Sequence, residues 1–324
     1  MNILGRLARV LAVIGSLLAA EGSSLGPAAA QHPSDGPLSA DLYRYDPSQP
    51  LDVRIAGREE YPGALVLDLS YAGSGATRVE AWLVTPQTAG RHAAILFGHW
   101  GGGDRTEFLP EALRYARDGM VSLLPSYPWS RSGASRTRLR YSSDPEHDFA
   151  IYVQAVVELR RGLDLLAART DVDLSRLGYV GHSYGAQWGA ILAAVDRRPR
   201  TFILIAGVPD LAALYLESND PEYAELRARE PERVARLLDV MAPLAGVRHV
   251  GRAAPASLFF QAARYEQNFP KAATERYFAA ASEPKRMRWY PTSHDVNDPQ
   301  ALADRATWLR RELLRDAVGH PKVR

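Results

Sequence analysis

The sequence predicts an α/β protein with a mostly parallel central sheet and helices on both faces. Three observations predict it. Apolar, strand-like runs alternate with helix-like stretches along most of the chain. A Gly-x-Ser-x-Gly turn at Gly181 to Gly185 joins one such run directly to a small-residue helix. Two strand-like runs around Ala72-Gly73-Ser74-Gly75 read as a hairpin, which gives the sheet an antiparallel start.

In chain order, residues 64–71 and 78–85 are the hairpin strands, and 92–97 is the next strand, running into a glycine-rich loop. A helix is expected over 106–118, a strand over 120–124 ending at Pro125, and a polar, basic loop over 131–143. Residues 148–169 have the amphipathic pattern of a long helix packed behind the strand that precedes Ser183. After the strand at 201–206, about fifty residues separate it from the next, at 256–262, which is long for a plain crossover. Helical patterns at 222–229 and 232–241 make 207–252 a small cap insertion over the pocket. Tyr215, Tyr223, Leu237, Leu238 and Met241 are candidates to line it, although aromatic and aliphatic residues at helical spacing also describe a core. A short strand at 288–290 is followed by a loop and by a helix opening at Asn297-Asp298-Pro299.

At 324 residues the chain can bury one large α/β core. Its 39 basic and 37 acidic residues leave a formal charge of +2, which argues against a nucleic-acid or strongly acidic partner. The chain has no cysteine, which excludes disulfides, thiolate metal sites and a cysteine nucleophile. Residues 1–30 read as a signal peptide: Arg6 and Arg9 precede an apolar run from Val10 to Ala20, and Ala28-Ala29-Ala30 offers a cleavage site before Gln31. The expectation is export to the periplasm or beyond, with no stable membrane insertion after cleavage. Residues 31–50, rich in Pro, Ser and Asp, read as a flexible leader, and 51–324 as the folded domain.

The chemistry centres on Gly181-His182-Ser183-Tyr184-Gly185. The apolar run Leu177-Gly178-Tyr179-Val180 before it and the helical Ala186 to Ala194 after it supply the strand–turn–helix context of a nucleophile elbow. A serine there needs a base and an orienting acid later in the chain. His249 and His294 both follow the elbow; His249 sits in a basic, irregular stretch and reads as surface. His294 lies on a loop past a strand end, where α/β sheets place their sites, and is the expected base. Glu266, past the strand at 256–262, is the favoured acid. Asp210 is a rival, and Asp295 a weaker one because neighbouring side chains diverge. Oxyanion donors are expected from the N–H of Tyr184 and from Trp100 or Gly101 in the loop Gly98-His99-Trp100-Gly101-Gly102-Gly103. His99 reads as a brace for that loop. The glycine run lacks the lysine and Ser/Thr of a phosphate-binding loop.

With elbow, base, acid and glycine loop in this order, the chain resembles the α/β-hydrolase superfamily from about Arg78 onward. It is most similar to the dienelactone hydrolase-like and prolyl oligopeptidase-like branches, through the loop after His99, the segment around Glu266, and Trp289-Tyr290-Pro291-Thr292-Ser293-His294-Asp295. It departs from them in Ser293, where a glycine is usual before the histidine, in a glutamate acid, and in a serine where dienelactone hydrolases proper carry cysteine. The resemblance implies a cofactor- and metal-independent serine hydrolase acting on a small-molecule ester through a Ser183–His294–Glu266 triad. Peptide or amide hydrolysis is the alternative, and an inactive hydrolase fold used for binding is a third.

Overall fold

The computed structural model describes residues 40–140 and 143–314, so the expected signal peptide lies outside the described residues. The strands are β1 (Arg54–Tyr61), β2 (Ala64–Ala72), β3 (Arg78–Pro86), β4 (His92–Gly98), β5 (Met120–Pro125), β6 (Val172–His182), β7 (Thr201–Ile205), β8 (Ser257–Ala263) and β9 (Lys285–Tyr290). They form one nine-stranded sheet in the order β1-β2-β3-β5-β4-β6-β7-β8-β9. The pairings β1–β2, β2–β3 and β3–β5 are antiparallel, and those from β5–β4 to β8–β9 are parallel.

The helices are α1 (Leu109–Arg117), α2 (Pro145–Ala167), α3 (Tyr184–Val195), α4 (Leu211–Tyr215), α5 (Pro221–Arg229), α6 (Pro231–Met241), α7 (Gly246–His249), α8 (Lys271–Ala280) and α9 (Pro299–Leu314). Every residue of β4 is buried because helices cover both faces of the sheet. Successive side chains alternate between two cores. Leu96 joins the core built with α2 and α3, while Ile95 and Phe97 join the one built with α1 and α9. Each fully buried aliphatic or phenyl side chain contributes about 1.5–3 kcal/mol relative to exposure.

The structure departs from the sequence expectations at four places. β1 was not visible as a strand, because all its residues are exposed or half-exposed and only main-chain pairing with β2 defines it. Its outer edge carries Arg54, Arg58, Glu59 and Glu60, and its register shifts between Ile55 and Gly57. Part of the expected flexible leader is tied down: Tyr43 is buried, its carbonyl accepts from Arg160 at 2.6 Å, and the carbonyls of Gln49 and Pro50 accept from Arg161 at 3.0 and 3.1 Å. α2 starts at Pro145, a turn early, since Asp144 caps it by accepting from the His147 N–H. His249 is buried rather than on the surface, with Nε2 2.8 Å from the Pro243 carbonyl.

The insertion between β7 and β8 carries α4 to α7. Its Leu237 and Met241 belong to the core alongside α2 and α3, so those two candidates for the pocket wall are packing residues. Tyr215 and Tyr223 meet edge to face at 5.0 Å and pack beside Val208, Leu214 and Phe269.

Candidate active site

The turn from β6 into α3 sets Ser183 at φ 56°, ψ −113°, a left-handed backbone that a side chain adopts only when its surroundings impose it. The flanking glycines make this turn possible. A Cβ on Gly181 would collide with the Gly185 carbonyl, and one on Gly185 with the carbonyl of Gly98 at the end of β4. The Ser183 N–H donates to the Ile205 carbonyl at 2.8 Å, pinning the elbow to the end of β7.

His294 lies on the loop between β9 and α9, whose first turn is capped by Asp298 accepting from Gln300 and Ala301. Its Nε2 is 2.9 Å from Ser183 Oγ and its Nδ1 is 2.7 Å from Glu266 Oε2. An ionised carboxylate can only accept, so the hydrogen sits on Nδ1 and Nε2 is left to accept from the serine hydroxyl. Phe269 stands edge-on to the imidazole at 6.0 Å. Glu266 Oε1 accepts from the N–H groups of Gln267 and Asn268 and from Asn268 Nδ2 at 2.9–3.1 Å. Burial alone would raise this carboxyl. The hydrogen bond and charge of His294, with the Asn268 donors, outweigh burial and hold it below the ordinary glutamate range. Asn268 escaped the sequence reading; its position two residues past the acid is the signal that could have found it.

The structure brings Ser183, His294 and Glu266 together and leaves the rival acids apart. Asp210 caps α4 by accepting from Ala213 at 2.8 Å, and Asp295 is exposed. Tyr184 opens α3, at a helix end whose leading N–H groups have no acceptor within the helix. Of the two loop donors, the Trp100 N–H is directed at Glu107 Oε2, 2.8 Å away. Gly101 packs against Tyr184 so closely that a Cβ would meet its ring, and its carbonyl accepts from Trp129 Nε1 at 2.7 Å. Buried His99 braces the loop: Nδ1 donates to the Trp100 carbonyl at 2.7 Å, and Nε2 accepts from the Tyr127 N–H and Ser130 Oγ at 3.2 and 3.0 Å. Burial pushes His99 down to about 4, so the ring is neutral at physiological pH.

Two further residues at the site were not singled out from sequence. His182, the variable residue before the serine, has Nδ1 2.6 Å from Glu107 Oε1 and Nε2 3.0 Å from the His294 carbonyl oxygen. Glu107 lies 75 residues from His182 in the chain, and no local pattern links them.

No family model matches the sequence, and no curated protein matches it. Solved structures match the fold. An acetyl xylan esterase from Paenibacillus sp. R4 aligns with a TM-score of 0.71 at 20% identity, over 84% of this chain and 92% of that one. Acetyl xylan esterase 1 from Thermoanaerobacterium sp. JW/SL YS485 gives 0.65 at 17% identity, over 82% and 88%. A structure from work on two prolyl endopeptidases gives 0.57 at 15% identity, over 78% of this chain and 39% of that one. At such identities the likeness is one of architecture, and together with the sheet order it establishes that the chain has the α/β-hydrolase fold.

Proposed function

We propose that the chain is an exported serine hydrolase that cleaves a carboxylic ester through an acyl-enzyme on Ser183. The observation that carries this reading is the in-line relay from Glu266 Oε2 to His294 Nδ1 at 2.7 Å and from His294 Nε2 to Ser183 Oγ at 2.9 Å. As Ser183 attacks the ester carbonyl, His294 takes the hydroxyl proton and Glu266 stabilises the imidazolium. The oxyanion rests on the N–H of Tyr184 and, with Trp100 engaged by Glu107, on that of Gly101. His294 returns the proton to the leaving alkoxide. It then takes one from water, whose oxygen attacks the acyl carbon, and passes that proton to Ser183 Oγ as the acyl–Oγ bond breaks and the carboxylic acid leaves. No step requires a metal or cofactor. Two matching structures carry the name acetyl xylan esterase, so acetylated polysaccharide belongs among the first substrates tried.

Peptide hydrolysis is the second reading, suggested by the prolyl endopeptidase match. An exopeptidase would need free carboxylates to hold a substrate amine, and Asp144-Pro145-Glu146-His147-Asp148 is the acidic run available. Asp144 caps α2 and pairs with Arg140, Glu146 pairs with Arg236, and Asp148 accepts from the Arg140 N–H. These engagements favour the ester. The test is a screen of p-nitrophenyl esters, acetylated xylan and aminoacyl p-nitroanilides, with Ser183→Ala as control. Ester turnover lost in the variant is the expected result; anilide turnover without ester turnover would move the function to the second reading.

Export is part of the proposal. Among the described residues no helix is long and apolar enough to cross a membrane. Intact mass of protein recovered outside the cytoplasm should correspond to a chain starting at Gln31. A mass retaining residues 1–30 would instead make that segment an anchor.

A further inference from the structure

Glu107 lies in the turn that leads into α1, and His182 is the last residue of β6. The Glu107 side chain is 20% exposed and that of His182 5%. Glu107 Oε2 accepts from the Trp100 N–H at 2.8 Å, in the glycine-rich loop. Its Oε1 lies 2.6 Å from His182 Nδ1, and His182 Nε2 lies 3.0 Å from the backbone oxygen of His294. A carbonyl oxygen can only accept, so Nε2 carries a hydrogen. The short Oε1–Nδ1 contact then requires one shared proton, whichever atom holds it.

We propose that Glu107 and His182 are a positioning pair that ties the oxyanion loop, the serine elbow and the base loop into one unit. Three facts carry this. The same carboxylate reaches two of these segments, and its imidazole partner reaches the third. Glu107 and His182 border a cavity of about 340 Å³, so hydrogen bonds rather than close packing set the orientation of the carboxylate. The base loop has a backbone that needs holding, since Val296, two residues past His294, sits at φ 44°. By taking the Trp100 N–H, Glu107 also fixes that peptide plane and leaves the next, Gly101, seated against Tyr184. Neither side chain touches the reacting atoms. Their effect runs through the placement of His294 Nε2 and of the oxyanion donors, where an error near 1 Å can cost about 100-fold.

The proposal rests on Ser183 and His294 being nucleophile and base, and the test separates the two claims. Labelling of the wild type by a serine-directed fluorophosphonate, absent in Ser183→Ala, establishes the nucleophile first; no labelling would sink that reading. Glu107→Leu, Glu107→Gln, His182→Leu and the Glu107→Leu/His182→Leu double variant are then compared on one activated ester, with circular dichroism to confirm folding. Glutamine can accept from Trp100 through its oxygen and donate from its amide nitrogen to a neutral His182, preserving all three links without a shared proton. The expected result is a loss of about 10–100-fold in kcat for each leucine variant with KM little changed. The double variant should lose no more than the worse single, and Glu107→Gln should recover most of the activity. An unchanged kcat in Glu107→Leu would overturn the tie, as would additive losses or a Glu107→Gln no better than Glu107→Leu. Should Glu107→Leu not fold, His182→Leu carries the test alone: a fall in kcat at unchanged KM supports the pair and an unchanged kcat overturns it.

Discussion

The two halves of the sheet treat left-handed backbone differently. At the antiparallel end such positions fall to glycine: Gly63 (φ 78°) turns β1 into β2, and Gly75 (φ 60°) turns β2 towards β3. At the C-terminal edge of the parallel half, Ser183 (φ 56°), Ala206 (φ 43°) and Val296 (φ 44°) occupy the same region with side chains. The remaining non-glycine case among the described residues is exposed Asp52 (φ 41°), a residue type that tolerates it. A glycine turn is stable by its own local chemistry. The other three positions each cost roughly 1–3 kcal/mol and must be held from outside. The Ser183 N–H donates to Ile205, the Ala206 N–H to Gln261, and the Val296 side chain is buried. Backbone strain is thus gathered where the proposed chemistry lies, and the hairpin end is nearly free of it.

Substitution at Ser183 is the strongest way to break that comparison. Ser183→Ala should keep its fold and lose about 10⁴–10⁶-fold in kcat, since in the proposed mechanism nucleophile and base act as a unit. Ser183→Gly should be equally inactive yet more stable than Ser183→Ala by about 1 kcal/mol, because glycine relieves the strained φ. Thermal melts of the two variants check this; equal midpoints would mean the elbow is not strained. Glu266→Gln should lower kcat/KM on the order of 10⁴-fold with an intact fold, while Asp210→Asn stays close to the wild type. A severe loss in Asp210→Asn beside a near-normal Glu266→Gln would move the acid to the end of β7.

Acid should separate the two halves by stability. His99 titrates near 6.5 when unfolded and at about 4 when folded, so between those values the unfolded state alone takes up the proton. Its contribution is complete above about pH 6.5 and lost as pH falls towards 4, a change of about 3 kcal/mol. The lowered Glu266 carboxyl acts in the same direction at still lower pH, its contribution disappearing as pH falls through its folded value. Amide protection, taken as the exchange rate relative to the intrinsic rate at the same pH, should therefore fall at pH 4.5 around residues 99–101 and 127 before it does in β2 and β3; the reverse order would remove the acid sensitivity from the edge that carries Ser183. The smallest effect belongs to the hairpin. Gly63→Ala forces a side chain to φ 78° and should cost about 1–2 kcal/mol with kcat/KM unchanged.

The same contrast explains what could be read from sequence. The elbow was legible because steric demand fixes Gly181 and Gly185 in a local pattern. The positions of Glu266 and His294, which the proposed mechanism uses, were legible for different reasons: Glu266 follows the apolar β8, whereas β9 is half basic and His294 is marked by the helix start at Asn297-Asp298-Pro299 and by chain order. β1 has no buried face and so no period to read. His249 carries basic neighbours yet turns inward to the Pro243 carbonyl, and a hydrogen bond of that kind leaves no mark on composition. Glu107 and His182 meet only through the fold. The anchoring of residues 40–50 depends on Arg160 and Arg161, which look like surface charges of a helix until their acceptors are known.

Charge at the two margins of the sheet has a consequence for crowding. A border strand offers unpaired N–H and C=O groups to any passing chain, and nine strands in an open sheet leave two such borders. On one of them β1 sets Arg54, Arg58, Glu59 and Glu60 along its length and is interrupted by the register shift before Gly57. On the other, β9 carries Lys285, Arg286 and Arg288. Two copies meeting β9 to β9 would bring like charges face to face, and two meeting at β1 would have to match a kinked edge. Charged side chains of this kind disfavour edge-to-edge pairing between copies, and two of them also serve the fold: Lys285 Nζ donates to the carbonyls of Phe278, Ala279 and Ala281 at the end of α8, and Arg288 pairs with Asp304 at 2.7 Å.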